Sequence, residues 1–361
     1  MIWSKQNQDS FFVSLKEKLK DIKADFRLDQ ISYLKIGGRA KYFFEAKNKS
    51  DLIEAVLLAR KLNLPHLVVG NCSNILFLDS GFLGLIIKNN YMRLNGGAIQ
   101  ILENEVTAPS GMPLLSLVKE AGWKNLGGIE FLATIPGTVG GAVVNSAEAF
   151  SKKIKDYLIS VNVLNEQGQE EFIKTEKLGL KYRGSIFKGK AKQSQYLNYP
   201  LILEAKFSLK KRSIQEVERL IQSLALIRAK SQPREPSLGC IFKNPAYRQA
   251  GPICPKREDL QKISKNNRIS AGFLIDQAGL KGKRKGKIKI SNLHANFFLN
   301  LDKGKSKDYL DLIMEAKEKV REKFDIMLEE EIEIIDNSNF KSPAYRQAGK
   351  IQNDNSKSKI K

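Results

Sequence analysis

The sequence predicts an α+β protein with two glycine-loop domains followed by a third, α/β unit, and three observations carry that prediction. The stretch Phe131 to Phe150 sets a Pro136-Gly137-Thr138 turn against Gly140-Gly141 and runs on into Ala142-Val143-Val144, which reads as a buried strand. A second turn of the same kind, Gly70 to Asn74, follows the apolar run His66 to Val69 and leaves into another strand at Ile75-Leu76. Glycine tolerates positive φ and lets a ligand approach the main chain, so two such loops suggest a phosphate-bearing cofactor held by backbone N–H groups. Third, strand patterns alternate with helical ones from 42 to 69 and again from 271 to 335.

Taken in order, residues 1–20 form an amphipathic leader helix with Phe11, Phe12 and Leu15 on one side. Gly37-Gly38 is a turn before a strand from Tyr42 to Ala46. Asp51, with Glu54 three residues on, has the capping-box pattern, and Leu52, Ala55, Val56 and Ala59 then repeat at helical spacing. His66 to Val69 completes a strand–helix–strand unit, which predicts a parallel pair. The 70–74 loop lies at the carboxyl end of that second strand, where open α/β sheets bind ligands.

From Gly97 the pattern changes to short strands: Ala98 to Val106, a helix over Leu114 to Ala121, the central glycine stretch, a hairpin of Leu158–Leu164 with Glu170–Ile173 turning through Gly168, and a strand from Leu201 to Phe207. These predict a second, α+β domain that contributes the other loop. A helix capped by Ser213 and Glu216 runs to about Lys230 and ends before Pro233, a domain boundary. PSLGCIFKNP (236–245) is the most site-like sequence of the C-terminal third, and it precedes a helix within 271–282, a strand Ala295–Asn300, a helix Ser306–Phe324 and a strand Glu331–Ile335. The predicted organisation is therefore 1–20 leader, 21–88 and 89–212 as two cofactor-binding subdomains, 213–336 as a substrate domain with an insertion at about 246–267, and 337–361 as a disordered, lysine-rich tail. PAYRQAG occurs at 245–251 and again at 343–349, too short for a structural repeat and placed where exposed chain tolerates insertion.

Composition narrows the function. No run of about 18 apolar residues exists and the N-terminus lacks an apolar signal core, so neither a membrane span nor a signal peptide is readable and a cytoplasmic protein is expected. Cys72, Cys240 and Cys254 are odd in number with no CxxC pair, which argues against a disulfide framework or zinc ribbon, and His66 and His294 have no metal-ligand company. No metal is expected. The net charge of +22 is lysine spread along the chain, with one dense run at 281–289. Aromatics are not interleaved with that run as a stacking platform requires, so a basic face that meets anionic nucleotides is expected rather than a specific nucleic-acid partner.

SYLKIGG (32–38), VVGNCSNILFLDSGFLGLIIK (68–88), GIEFLATIPGTVGGAVVN (128–145), YRGSIFK (182–188), PSLGCIFKNP (236–245), AGFLIDQAGLKG (271–282), SNLHANFFLN (291–300) and FDIMLEEEIEII (324–335) resemble, in order, the successive motifs of the UDP-N-acetylenolpyruvoylglucosamine reductase family. The resemblance covers about residues 28–336. It implies an FAD-binding fold of the vanillyl-alcohol-oxidase (PCMH) type with a C-terminal α/β substrate domain, acting as a monomer of the family's shorter branch. It also implies hydride transfer from NADPH through FAD to the enolpyruvyl group of a small-molecule sugar nucleotide. An oxidase of the same fold acting on another alcohol or sugar is the alternative, and a basic nucleic-acid-binding protein is the alternative from another class.

The site residues follow from motif position. The resemblance implies Arg183 on the enolpyruvyl carboxylate, Cys240 as the proton donor where many members carry serine, and Glu331 as the third catalytic group. It implies Gly70, Asn71, Cys72, Ser73, Asn74, Ile135, Pro136, Gly137, Thr138, Gly140 and Gly141 on the FAD pyrophosphate. Tyr182, Asn244, Arg268, Gln277 and Lys281 are implied on the sugar nucleotide. Glu329, Glu331 and Glu333 are expected on one face of a strand, and Glu330 stands where the family has proline. Cys72 stands in place of a loop glycine, and Ser146 and Glu148 replace the family's Asn and Gly. If residue 72 takes positive φ, its Cβ is expected to weaken flavin retention.

Overall fold

The computed structural model describes residues 5–92, 99–247 and 267–337. These residues group into two compact units. The first takes the residues up to Tyr33, then Arg39–Ser73 and those between Leu83 and Arg234; the second takes Leu34–Gly38, Asn74–Phe82 and those from Glu235 onward. The sequence insertion and the second PAYRQAG copy fall almost wholly outside the described residues, as does Cys254.

The first unit contains a four-stranded sheet in the order Lys23–Arg27, Arg39–Ala46, Phe82–Asn89, His66–Val69. The helix Lys49–Lys61 buries Leu52, Ala55, Val56 and Ala59, the positions its periodicity predicts, in one core with Leu85 and Ile87. Two expectations are corrected here. The helix is capped by Asn48, whose side chain accepts from the Asp51 amide at 2.9 Å, while the Asp51 carboxylate accepts from the Lys47 amide at 3.2 Å. The cap therefore lies three residues earlier than Asp51, and the returning bond goes to the residue before the cap instead of to the cap's own amide. His66–Val69 pairs in parallel with Phe82–Asn89, which lies between it and Arg39–Ala46. Gly84 to Ile87 are all buried, and a strand apolar on both faces belongs inside a sheet rather than at its edge.

The same unit holds an antiparallel five-stranded sheet, ordered Glu170–Lys174, Leu158–Leu164, Leu201–Ser208, Glu105–Pro109, Gln100–Leu102. The helices Leu114–Trp123 and Ile214–Ser231 contribute Leu117, Val118, Ala121 and Val217 to the core with this sheet. Ser213 caps the second helix as expected, accepting from the Glu216 amide at 3.3 Å. The expected 98–106 strand is instead a hairpin bent at Glu103, whose φ is +54°. A second correction concerns Ala142-Val143-Val144, read as strand: Val139–Val144 is a short helix. Thr138 is extended and its hydroxyl faces the Gly141 amide at 3.4 Å, so a threonine N-cap decides the local structure over the β-preference of the two valines.

In the second unit, Ser237–Cys240, Phe297–Asn300, Ile288–Ile290 and Arg284–Lys285 make an antiparallel sheet. The helix Ser306–Phe324 packs Tyr309, Leu312, Ile313, Ala316 and Val320 into a core with Phe242, Phe298, Leu34 and Leu76. The predicted 271–282 helix stops at Gln277, because Gly279 and Gly282 take φ of +78° and +80°. Glu333–Ile335 pairs in parallel with Ile75–Phe77. Glu329–Glu331 precedes this strand in irregular backbone, so the three glutamates do not share a strand face. Among the described residues, no helix is long and apolar enough to cross a membrane and no cluster of three metal-ligating side chains occurs.

Candidate active site

The two glycine loops singled out in the sequence meet inside the first unit. A Cβ on Gly70 would lie 2.4 Å from Thr138 Oγ1, so a bare residue there is what lets the loops touch. One on Gly140 would lie 3.0 Å from the Ser110 Cβ, and the Gly140 amide donates to the Ser110 carbonyl at 2.8 Å. Val139 likewise donates to Met112 and Leu114 to Gly137, so the 135–141 loop is stitched to 110–114. Ile135 and Gly137 donate to Leu132 and Ile135 respectively. Those amides are spent on the loop's own shape.

The other loop differs. Among the described residues, the amides of Asn71, Cys72 and Ser73 have no hydrogen-bond acceptor, and neither has that of Thr138. Consecutive amides left available at a bend form a concavity for an anion. The carbonyl side of the same loop is tied down, because Lys88 Nζ donates to the Gly70 carbonyl at 2.6 Å. Burial pushes the Lys88 ammonium below its ordinary pKa, with Cys72 and Glu45 opposing. Cys72 is buried at φ +53°, its Sγ 3.5 Å from the Gly70 carbonyl, and burial pushes the thiol up to about 12 despite nearby Lys88. The loop thus demands the left-handed backbone that glycine would supply without strain. Lys88, Ser110 and Met112 were not singled out by the sequence reading, because an apolar strand and a turn gave no sign that their polar atoms serve a loop far along the chain.

Arg183 also lies in the first unit, at φ +53° in a tight turn in which Lys181 and Gly184 exchange backbone hydrogen bonds at 3.0 Å. Its guanidinium carbon stands 5.8 Å from the Tyr182 ring centroid. The turn is docked on the end of the Val139–Val144 helix: Ser185 Oγ donates to the Val144 carbonyl at 2.7 Å and Lys188 Nζ to Asn145 Oδ1 at 2.9 Å. The position of Arg183 is therefore tied to the loop that precedes that helix.

The main-chain segments that carry Cys240 and Glu331 are joined in the second unit. Cys240 is half-buried at the end of Ser237–Cys240, opposite Phe297 and directly after Gly239 at φ +74°. The Glu331 amide donates to the carbonyl of Ile241 at 2.7 Å, and Asn74 Nδ2 donates to the Glu331 carbonyl at 3.2 Å. Each neighbouring acid has a different partner: Glu329 is largely exposed and paired with Lys243, whereas Glu330 is paired with Lys317 at 3.0 Å. Asn244 and Arg268 are brought together, Arg268 donating to the Asn244 carbonyl and Asn244 Oδ1 accepting from the Ala271 amide, both at 3.0 Å. Gln277 and Lys281 flank the end of the adjacent helix, where the Gln277 carbonyl accepts from Lys323 and Lys281 pairs with Asp276 at 2.9 Å. His294 is structural, its Nδ1 accepting from the Asn296 amide at 3.2 Å and its ring 4.8 Å from that of Phe297.

Residues 40–172 match the profile of an FAD binding domain, and residues 232–335 match that of the UDP-N-acetylenolpyruvoylglucosamine reductase C-terminal domain. The chain is 35% identical over 324 residues to the UDP-N-acetylenolpyruvoylglucosamine reductase of Streptococcus thermophilus (strain ATCC BAA-491 / LMD-9), covering 89% of this chain and 96% of that one. It is 32% identical over 315 residues to UDP-N-acetylenolpyruvoylglucosamine reductase 2 of Bacillus cereus (strain ATCC 10987 / NRS 248), covering 87% and 92%. Among solved structures, it is similar to UDP-N-acetylenolpyruvylglucosamine reductase from Thermus caldophilus, with a TM-score of 0.65 and 30% identity over 88% of this chain and 98% of that one.

Proposed function

Because the chain belongs to the UDP-N-acetylenolpyruvoylglucosamine reductase family, we propose that it reduces the enolpyruvyl ether of UDP-N-acetylglucosamine enolpyruvate to give UDP-N-acetylmuramate for peptidoglycan synthesis, with FAD as prosthetic group and NADPH as reductant. The fold is the expected FAD-binding α+β architecture followed by a C-terminal domain. The observation that carries the proposal is the contact between the two glycine loops, with the amides of Asn71, Cys72, Ser73 and Thr138 left available beside it.

That cradle suits a diphosphate. Four N–H groups and the Ser73 hydroxyl can take its charge, and the Lys88 bond to Gly70 holds the loop's other edge. When bound, the flavin supplies the hydride relay between NADPH and the vinyl carbon. The remaining work falls to side chains. Addition of hydride to the vinyl carbon puts carbanion character on its neighbour, which the adjoining carboxylate spreads as an enolate. In this reading Arg183 grips that carboxylate through two hydrogen bonds and stays charged throughout. Cys240 hands its Sγ proton to the carbanionic carbon, closing the second C–H bond, and is reprotonated from solvent; an unperturbed thiol, of pKa about 8.5, is a competent donor. Glu331, in its acid form, adds a hydrogen bond to the enolate. Tyr182, Asn244, Arg268, Gln277 and Lys281 hold the sugar nucleotide. The enzyme acts as a single chain in the cytoplasm, where the thiols of Cys72 and Cys240, neither in a disulfide, are kept reduced.

The test is an absorbance spectrum of the purified, FAD-supplemented protein, followed by anaerobic titration with NADPH and then with the enolpyruvyl sugar nucleotide. The expected result is a flavin spectrum bleached by the first and restored by the second. A colourless protein after FAD addition overturns the reading, as does reduced flavin that responds to oxygen but not to the sugar nucleotide.

A further inference from the structure

We infer that Asn296 is a positioning residue for the proton donor: its side chain stands in for a missing piece of β-strand and sets the backbone that carries Cys240 and Glu331. This inference rests on the functional reading above. Ser237–Cys240 pairs with Phe297–Asn300, but the register slips between Ser237 and Cys240, and Gly239 sits at φ +74° in that slip. After Cys240 the strand would lose its partner on that side. Asn296 replaces the partner: its carbonyl accepts from the Ile241 amide at 2.9 Å, its Oδ1 accepts from the Phe242 amide at 2.9 Å, and its Nδ2 donates to the Phe242 carbonyl at 2.8 Å.

The side-chain amide therefore makes the pair of hydrogen bonds that a peptide unit would make, in a site where Asn296 is 1% exposed and Phe242 wholly buried. On the opposite edge of the same segment, Glu331 donates to Ile241, Lys243 donates to the Glu329 carbonyl, and Phe242 bridges Glu330. Residues 240–243 are thus held from both sides. One side is the ladder to 329–331, which carries Glu331, and the other, among the described residues, is Asn296 beyond Cys240. The neutral amide side chain offers a donor and an acceptor at that spacing, so the offset between the thiol and the acid depends on it. The hydrogen bonds of Asn296 go to Phe242 and Ile241, and it acts through them.

The experiment compares the full-length, FAD-supplemented protein with Asn296→Leu and Gly239→Ala. Leu keeps the size but loses both donor and acceptor, whereas an Asp buried against the Phe242 carbonyl would stay protonated and replace the donor. The Ala variant strains the slip itself, and a Cβ at 239 would meet nothing within 4 Å, so packing is untouched. In stopped-flow, flavin reduction by NADPH is expected to keep its wild-type rate in both variants, while reoxidation by the enolpyruvyl sugar nucleotide slows about 100-fold, the usual effect of a misplacement near 1 Å, and gains a larger solvent deuterium isotope effect. Separately, iodoacetamide labelling read by peptide mass spectrometry needs neither flavin nor substrate. Cys240 is expected to label at least fivefold faster or slower in both variants, with buried Cys72 unlabelled throughout as the internal control.

If Asn296→Leu does not fold, Asn296→Gln decides, because it keeps the donor and acceptor but displaces them by one methylene. Unchanged Cys240 labelling with unchanged reoxidation overturns the inference, as does an equal slowing of both half-reactions. A wild-type protein that fails to reoxidise overturns the functional reading, and the labelling result then still decides the clamp.

Discussion

Replacing Cys72 tests whether the anion cradle is built on strained backbone. Its φ of +53° lies in the left-handed region, which costs an L-residue roughly 1–2 kcal/mol. Glycine avoids that cost but gives back about 0.5–1 kcal/mol in chain entropy. Cys72→Gly and Cys72→Ala lose the same buried thiol, so the difference between them isolates the backbone. Gly is therefore expected to be more stable than Ala by roughly 0.5–1 kcal/mol, the reverse of the order at an ordinary position. The strain also bears on binding, because a loop that resists its amide-presenting shape is in that shape for less of the time. Relief of about 1 kcal/mol corresponds to a dissociation constant for FAD about fivefold lower in Cys72→Gly, with no gain in Cys72→Ala. Urea melts of the apo proteins and FAD titration by fluorescence quenching read the two effects. An Ala variant as stable as the Gly variant, or wild-type protein that recovers FAD stoichiometrically without supplementation, would refute the reasoning.

Three further outcomes follow from the site and its surroundings. Arg183→Lys keeps the charge but loses the planar fork, and is expected to lower kcat/KM for the enolpyruvyl substrate about 100-fold, from roughly 3 kcal/mol for a charged hydrogen-bonded pair, while NADPH still bleaches the flavin at the wild-type rate. Glu331→Gln should slow flavin reoxidation by two orders of magnitude or more, whereas Glu329→Gln, at a residue with 71% of its side chain exposed, should change turnover less than twofold; equal effects would reject the choice of Glu331. His66 is wholly buried and stacked on Tyr199, and burial lowers its pKa from 6.5 to about 4. A base depressed in the folded state gives stability that is full above pH 6.5 and lost as pH falls toward 4, about 3 kcal/mol in all. Urea midpoints taken across that window should fall in wild type and stay nearly flat in His66→Phe.

Periodicity carried most of the fold. Leu52, Ala55, Val56 and Ala59 all reach the core because a helix must turn one face inward, and Ser306–Phe324 is bounded where its pattern begins and ends. What stayed hidden was pairing between distant segments. Nothing local tells that Phe82–Asn89 slides between two earlier strands, or that Ile75–Phe77 joins Glu333–Ile335 within the second unit. Ala142–Val144 misled for a different reason: β-branched side chains read as strand, but one threonine cap upstream outweighed them. In the site, the motifs pointed to side chains suited to the chemistry, while the hydrogen bonds that Lys88, Ser110 and Asn296 make to distant backbone left no mark in composition or spacing.

The three consecutive glutamates show how far side-chain identity alone falls short of a role. By sequence, Glu329, Glu330 and Glu331 are equivalent carboxylates, and the family alignment separates them only by register. The fold separates them physically. Glu329 faces solvent and Lys243, so its charge is screened and its removal is cheap. Glu330 is mostly buried against Lys317 on the Ser306–Phe324 helix, so its loss would leave a buried ammonium without its partner and cost stability instead of turnover. Glu331 has its amide on the carbonyl next to Cys240 and its own carbonyl on Asn74, which fixes its main chain beside the thiol. A bridge that pins Glu330 to Phe242 leaves its neighbours no freedom to exchange places. A shift of one residue in that register would bring Ile332 or Glu330 to the place Glu331 now holds: the first has no carboxyl, and the second could take the place only by giving up Lys317.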